Sequence, residues 1–193
     1  MESFVPQLVM RKPHLRDLPP VELPSGYSIR SFREGDDTHW ERIIRITFEN
    51  PEYDFNKAMR NDSEYQPKRI KFVIHNDTPV ATASAWWFQE FGPEAGYLHM
   101  VGVSPEHRGK HLGYWVSMAV LHHFVLEQRT EAVLRTDDFR RPAIRTYIKM
   151  GFDPMLVHEN QRNRWTTILQ DMGYADLLLK YKSILDGPIH SIQ

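Results

Sequence analysis

The run from Val101 to Gly113 constrains the fold more tightly than any other part of the chain. It reads Val101-Gly102-Val103-Ser104-Pro105-Glu106-His107-Arg108-Gly109-Lys110-His111-Leu112-Gly113. It opens as a β-rich stretch, turns through a proline and a glycine, and ends where a helical repeat begins. Leu112, Trp115, Val116, Ala119, Val120 and Phe124 recur at helical spacing, and Met118, Leu121 and Val125 widen the apolar stripe, so this helix packs deeply. A strand that turns directly into a helix points several unpaired backbone N–H groups and the positive end of the helix dipole at one spot. A pyrophosphate suits such a spot. Gly109 and Gly113 let the chain turn and a ligand approach the backbone, while Arg108 and Lys110 add positive charge.

The remaining segments place this turn in a sheet. Tyr27 to Phe32 alternates apolar and polar residues and predicts a half-buried strand. A helix follows, with Thr38 and Glu41 spaced as a capping box and Trp40, Ile43, Ile44, Thr47 and Phe48 on one face before Asn50-Pro51. Phe55, Ala58 and Met59 suggest a short second helix. Ile70 to His75 and Val80 to Phe88 read as strands joined by Asn76-Asp77-Thr78-Pro79, and Tyr97 to Val103 as another. In that last run, strict alternation puts Tyr97, His99, Val101 and Val103 on one face and Leu98, Met100 and Gly102 on the other. A strand at Ala132 to Thr136, a helix from Pro142 capped by Gly151, and a strand at Phe152 to Val157 complete the order. The order predicts an α/β fold: a mixed sheet covered by helices.

Both ends of the chain differ from this middle. Residues 1–26 carry Pro6, Pro13, Pro19, Pro20 and Pro24, which argues against a regular element and for an extended arm laid over the surface. The core is expected over residues 27–157. Residues 158–193 are expected to form two helices on the same domain, from the spacing of Trp165, Ile168, Leu169 and Met172 and of Leu177, Leu178, Tyr181 and Leu185.

Charge and composition narrow the function classes. The chain of 193 residues has 24 basic and 25 acidic side chains, so no overall field recruits nucleic acid or an anionic membrane. An anion site must be local. The absence of cysteine removes disulfides, thiolate metal sites and thiol nucleophiles together, and fits a reducing, cytoplasmic compartment. No apolar run nears the roughly 20 residues of a membrane span, and the N-terminus has no signal-peptide core. No metal site is expected, since His122 and His123 diverge on a helix and His158-Glu159 lacks the second histidine of a zinc-protease helix. Gly109-Lys110 lacks the earlier glycine and the following Ser or Thr of a nucleotide-binding P-loop.

The Val101 to Gly113 run resembles the acetyl-CoA motif of the GCN5-related N-acetyltransferase (GNAT) superfamily. That pattern is Arg or Gln, two residues, Gly, one residue, then Gly or Ala; Arg108 and Gly113 fit its outer positions and His111 stands at the inner glycine. A helical φ would accommodate the β-carbon of His111, whereas a positive φ would compromise the site. Downstream, Ala143-Ile144-Arg145-Thr146-Tyr147-Ile148-Lys149-Met150-Gly151-Phe152 resembles the family's Ala-x-x-x-Tyr-x-x-x-Gly-Phe segment, with Arg140 where the family often has Asn. The resemblance spans roughly residues 27–157.

It implies a mostly antiparallel GNAT-like sheet with splayed central strands. It also implies acetyl-CoA as co-substrate, bound by Val101, Gly102, Val103, Arg108, Gly109, Lys110, His111, Leu112 and Gly113. Acetyl transfer to an amine would follow, with Tyr147 as general acid. An amine with a pKa near about 10.4 must lose a proton before it attacks. His99 is the first candidate base, with Tyr97, Glu90 and Glu94 behind it. The acceptor, a small molecule or a peptide amine, is expected against Phe48 to Tyr65, Trp86 and Trp87. There Glu49, Glu52, Tyr53, Asp54 and Phe55 would suit a cation with an apolar body. The family's final strand has no counterpart after Val157, and the helical tail is expected to complete the pocket, pack on the sheet or mediate a homodimer. A GNAT-fold protein that binds CoA or a metabolite as a regulator, without catalysis, is the competing expectation.

Overall fold

A computed structural model describes residues 5–192. The strands are β1 (Leu8–Lys12), β2 (Tyr27–Ser31), β3 (Ile70–His75), β4 (Thr78–Trp86), β5 (Ala95–Val103), β6 (Glu131–Thr136) and β7 (Asp153–Met155). The helices are α1 (Asp37–Phe48), α2 (Leu112–Leu126), α3 (Arg141–Lys149), α4 (Gln161–Asp171), α5 (Ala175–Lys180) and α6 (Lys182–Leu185). One sheet contains all seven strands in the order β2-β3-β4-β5-β6-β1-β7. Neighbours run antiparallel except β5 and β6, which are parallel. This is the mixed sheet that the element order predicts, mostly antiparallel as the family resemblance implies.

Local chemistry accounts for the joints. Asn76 and Asp77 both take positive φ, as a two-residue hairpin turn of the primed type requires, and connect β3 to β4. The expected capping box at Thr38 is not formed. Helix α1 begins after Asp36, whose carboxylate accepts from Arg30 and from the Arg33 N–H, and Glu41 instead accepts from the Phe55 N–H and pairs with Arg45. Glu41 therefore ties the segment after α1 back onto the helix.

The N-terminal expectation needs correcting. Leu8, Val9 and Met10 are fully buried, and β1 lies inside the sheet between β6 and β7, antiparallel to both. Pro6 and Pro13 bracket a proline-free run just long enough for a strand, and proline is tolerated at a strand's margins because it withholds no ladder donor there. Residues 1–4 of the expected arm lie outside the described residues. Among the described residues no strand follows β7, and β1 fills the place beside it. The tail forms three helices rather than two, and its Trp165, Ile168, Leu169, Tyr181 and Leu185 are buried in the core beneath α2 and α3.

Two cores cover the two faces of the sheet. Leu98, Val101, Val103, Leu134 and Tyr147 belong to the face under α2 and α3, and Tyr97, Met100 and Val133 to the face under α1. Strict alternation along β5 is thus broken. Met100 takes φ 49°, and the pairing slips so that Thr82 opposes Gly102 while Ser84 opposes His99. Two residues, Met100 and Val101, face the single Ala83, which is a β-bulge. The bulge reverses the phase, so Tyr97 and His99 do not share a face with Val101 and Val103. A further constraint acts at Gly102, where a β-carbon would stand 2.9 Å from Ile43 Cγ2 and 2.9 Å from Thr47 Oγ1. Only glycine lets α1 lie this close to β5.

Candidate active site

Strands β5 and β6 pair only from Ala95–Glu131 to Tyr97–Val133. Beyond Tyr97 they part, and the bulge at Met100 lies on the separated portion. A cavity of about 690 Å³ occupies this opening. Its wall includes Val101, Gly102, Val103, Arg108, Gly109, His111, Leu112 and Gly113, together with Tyr97, His99 and Tyr147. The structure therefore brings together the first-choice catalytic candidates and every expected coenzyme-binding residue except Lys110, which is exposed and does not line the cavity.

The turn has the properties of an anion site. Arg108 leaves the preceding 3₁₀ turn in an extended conformation, Gly109 takes φ 78°, and α2 begins at Leu112. Trp115 is the first N–H of α2 to bond back, to the His111 carbonyl. Among the described residues, the backbone N–H groups of Gly109 to Tyr114 have no acceptor. Burying them against an anion would satisfy them, as expected at a helix N-terminus. The turn is anchored by Ser104, whose N–H donates to the Val80 carbonyl at 2.8 Å, and by His107, whose Nδ1 shares a 2.8 Å hydrogen bond with the Tyr27 hydroxyl. His107 escapes sequence reasoning because its partner is 80 residues away.

His111 takes φ 56° and ψ 21°, so the position is left-handed and the histidine carries backbone strain. Histidine tolerates this region better than most residues, and the turn keeps its free N–H groups, so the strain falls on folding stability. His111→Gly is expected to raise stability by about 0.5–1 kcal/mol, after allowing for the extra chain entropy of glycine. A melting temperature higher by about 1–4 °C checks this; an unchanged or lower value contradicts the strain.

The two candidate catalytic side chains line the opening from different sides. Tyr147 on α3 is buried, packs 6.0 Å from the Phe152 ring, and lines the cavity from the α2 and α3 side. Burial raises its phenol well above the ordinary tyrosine pKa, partly opposed by the nearby Arg140 charge, so it stays a proton donor. His99 lines the cavity from the α1 side within an aromatic enclosure, its ring centre 5.7 Å from Trp86, 5.6 Å from Tyr97 and 6.0 Å from Phe88. Loss of hydration lowers its pKa to about 4, slightly countered by Asp62, so it is neutral at physiological pH, with one ring nitrogen carrying a lone pair that can accept a hydrogen bond. Tyr97, on the α1 side, is pushed up to about 12 by burial.

His99 also links stability to pH. Its folded pKa lies below the unfolded value of about 6.5, so the unfolded chain binds the proton more readily. The stability this neutral ring supports is intact above about pH 6.5 and is lost as pH falls toward 4. Denaturant midpoints at pH 7 and pH 5 are expected to drop further in the wild type than in His99→Gln; equal drops contradict the assignment.

The other base candidates and the expected acceptor wall require correction. Glu94 accepts from the Thr130 hydroxyl at 2.6 Å, and Glu90 is paired with Arg135 at 2.9 Å; neither lines the cavity. Trp86 is buried under α1, and Trp87 donates to the Gly92 carbonyl and lies against Arg129, so neither ring forms the wall. Of the acidic and aromatic set after α1, only Glu49 and Tyr53 line the cavity; Phe55 is buried and the Asp54 carboxylate is taken by the Lys57 N–H. The wall instead contains Arg135 and Arg140. Arg140 pairs with Asp137 at 3.0 Å, reaches the Thr47 carbonyl at 3.3 Å, and stacks over Phe48 at 4.4 Å.

Residues 37–152 match the model of the acetyltransferase (GNAT) family. The chain belongs to that family. GNAT proteins of known structure share its fold: one from Sphaerobacter thermophilus aligns with a TM-score of 0.60 and 22% identity over 78% of this chain and 49% of that one. A GNAT acetyltransferase from Colwellia psychrerythraea aligns with a TM-score of 0.62 and 16% identity over 77% and 53%. Among curated relatives, a mycothiol acetyltransferase of Mycobacterium sp. (strain MCS) is 29% identical over 156 residues, 76% of this chain and 52% of that protein. The chain spans about half the length of the curated relatives it matches. The GNAT match covers α1 through α3, and so contains the bulge, the turn from Ser104 to His111 and Tyr147.

Proposed function

We propose that this GNAT chain transfers an acetyl group from acetyl-CoA to a primary amine by direct attack in a ternary complex. The observation that carries the reading is one cavity at the splayed strands, lined by the turn with free N–H groups and by both Tyr147 and His99. The coenzyme supplies a thioester whose carbonyl carbon is open to attack.

The chain's own residues do the rest. The N–H groups of Gly109 to Tyr114 and the Arg108 guanidinium hold the pyrophosphate. The strand from Val101 to Val103 would pair with the pantetheine arm, and a backbone N–H there would donate to the thioester oxygen, a contribution of about 3 kcal/mol for one such donor. His99 takes the proton the amine gives up as its nitrogen bonds to the carbonyl carbon. Tyr147 hydrogen-bonds to the sulfur as the C–S bond breaks, stabilising the leaving thiolate and supplying its proton. The relatives that carry the name mycothiol acetyltransferase favour a small-molecule acceptor. The balanced charge and lack of cysteine support a cytoplasmic setting, and no described helix is long and apolar enough to cross a membrane.

The test is thiol release from acetyl-CoA in the presence of an amine panel, with coenzyme affinity measured separately by calorimetry. Binding with amine-dependent release supports the reading. Binding with no release across a broad panel favours a regulatory CoA-binding protein, a reading that the strained His111 keeps in play. No binding contradicts both.

A further inference from the structure

The acceptor half of the cavity holds two guanidinium groups where the sequence suggests a carboxylate-rich wall. On the α1 side, beyond His99, the wall holds two fixed guanidinium groups, Arg135 at the end of β6 and Arg140 ahead of α3. Arg135 uses one nitrogen on Glu90 at 2.9 Å and lies 5.2 Å from the Phe91 ring centre, with its side chain 29% exposed. Arg140 uses Nε on Asp137 and Nη1 on Thr47, with its side chain 20% exposed. Each is held in place and still has N–H donors to spend, Nε and Nη1 on Arg135 and Nη2 on Arg140. The Arg140 charge acts on Tyr147, and the Arg135 charge on Tyr97, which lines the same cavity.

The carboxylates of this region do not offset them toward a cationic guest. Glu90 is committed to Arg135, and Asp137 to Arg140 and to Gln7 at 2.9 Å. Glu49 is the one lining carboxylate without an ion pair among the described residues, and it is exposed at the mouth. A polycation entering here meets two guanidinium groups and finds no free carboxylate beyond the entrance. A carboxylate finds pre-placed donors of the geometry that binds it best.

We infer that the acceptor is an amine that also bears a carboxylate, held by Arg135 and Arg140 so that its amino group faces His99. The inference rests on the acetyl-transfer reading and names its substrate class. In the reaction the acceptor nitrogen forms the new C–N bond, the thioester C–S bond breaks, the amine proton passes to His99 and the thiolate is protonated from Tyr147. The carboxylate is a handle and takes no part in the bond changes.

The experiment uses the full chain with saturating acetyl-CoA and measures thiol release with matched amines. Each set contains a free amino acid, its carboxamide and the decarboxylated amine, on aromatic, aliphatic and acidic side chains, with spermidine as the polycation. In at least one set the free acid is expected to exceed its carboxamide by about tenfold or more in kcat/KM, the loss typical of removing a charged hydrogen-bond partner. Arg135→Gln should collapse that ratio to within about threefold through KM, and Arg135→Lys should recover part of it. Carboxamides or spermidine used as well as the free acids, in every set, overturn the inference. Should no amine release thiol, N-acetyl amino acids titrated into the CoA-saturated protein give a second readout: wild-type binding that weakens about tenfold in Arg135→Gln supports the site, and no binding overturns it. Failure of acetyl-CoA itself to bind counts against the acetyl-transfer reading and is seen in its own titration.

Discussion

Tyr147→Phe is expected to lower kcat for acetyl transfer by about 100-fold, roughly 2.7 kcal/mol of transition-state stabilisation, while CoA affinity stays within about twofold. The separation follows from what the substitution removes. The ring keeps its packing against Phe152 and its place in the cavity wall, so fold and binding persist. Only the proton donor is lost, and burial, which keeps that phenol neutral, makes it available throughout the working pH range. Steady-state thiol release and CoA calorimetry on the same preparation check the pair of outcomes. Equal rates would show that water protonates the leaving sulfur, and a large loss of CoA affinity would place Tyr147 in binding instead.

Removing residues 1–12 is expected to abolish cooperative unfolding altogether. Leu8, Val9 and Met10 are fully buried, and at about 1.5–3 kcal/mol each their burial contributes roughly 5–9 kcal/mol, comparable with the whole stability of an ordinary domain. The loss also strips both β6 and β7 of their shared neighbour, leaving two unpaired edges in the middle of the sheet. Thermal unfolding followed by circular dichroism gives the answer. A truncated chain that still melts cooperatively within a few degrees of the full chain would mean that β1 is an accessory strand.

Much of this molecule was legible because its decisive features are local. The strand, turn and helix from Val101 to Gly113 are each encoded within a few residues, and so is the α3 segment that carries Tyr147. What escaped notice depends on distant partners or on a slip in periodicity. The alternation along β5 carries no mark of the bulge at Met100, so His99 was placed with Val101 and Val103 although it faces α1. Five prolines hid β1, because its strand character comes from pairing with residues more than a hundred positions away. The acceptor wall is hidden from local sequence for the same reason. Glu52, Asp54 and Phe55 lie close in sequence to the cavity residues but turn to other partners or to solvent, while Arg135 and Arg140 are carried there by β6 and by the start of α3.

The positive φ of His111 is a compromise between these levels. Its neighbours dictate a left-handed turn for which glycine is the unstrained choice, and the chain retains a histidine whose side chain is exposed beside the free N–H groups. The turn still has the form of an anion site, at some expense of stability.

The most direct test of the account is the effect of acetyl-CoA on the unfolding of the full chain. With the coenzyme at 100 times its Kd, stability should rise by about 2.7 kcal/mol, and the melting temperature by several degrees. Arg108→Ala should need more coenzyme to reach the same rise. A melting temperature that does not move at saturating acetyl-CoA would contradict the assignment of the turn from Val101 to Gly113 as the coenzyme site.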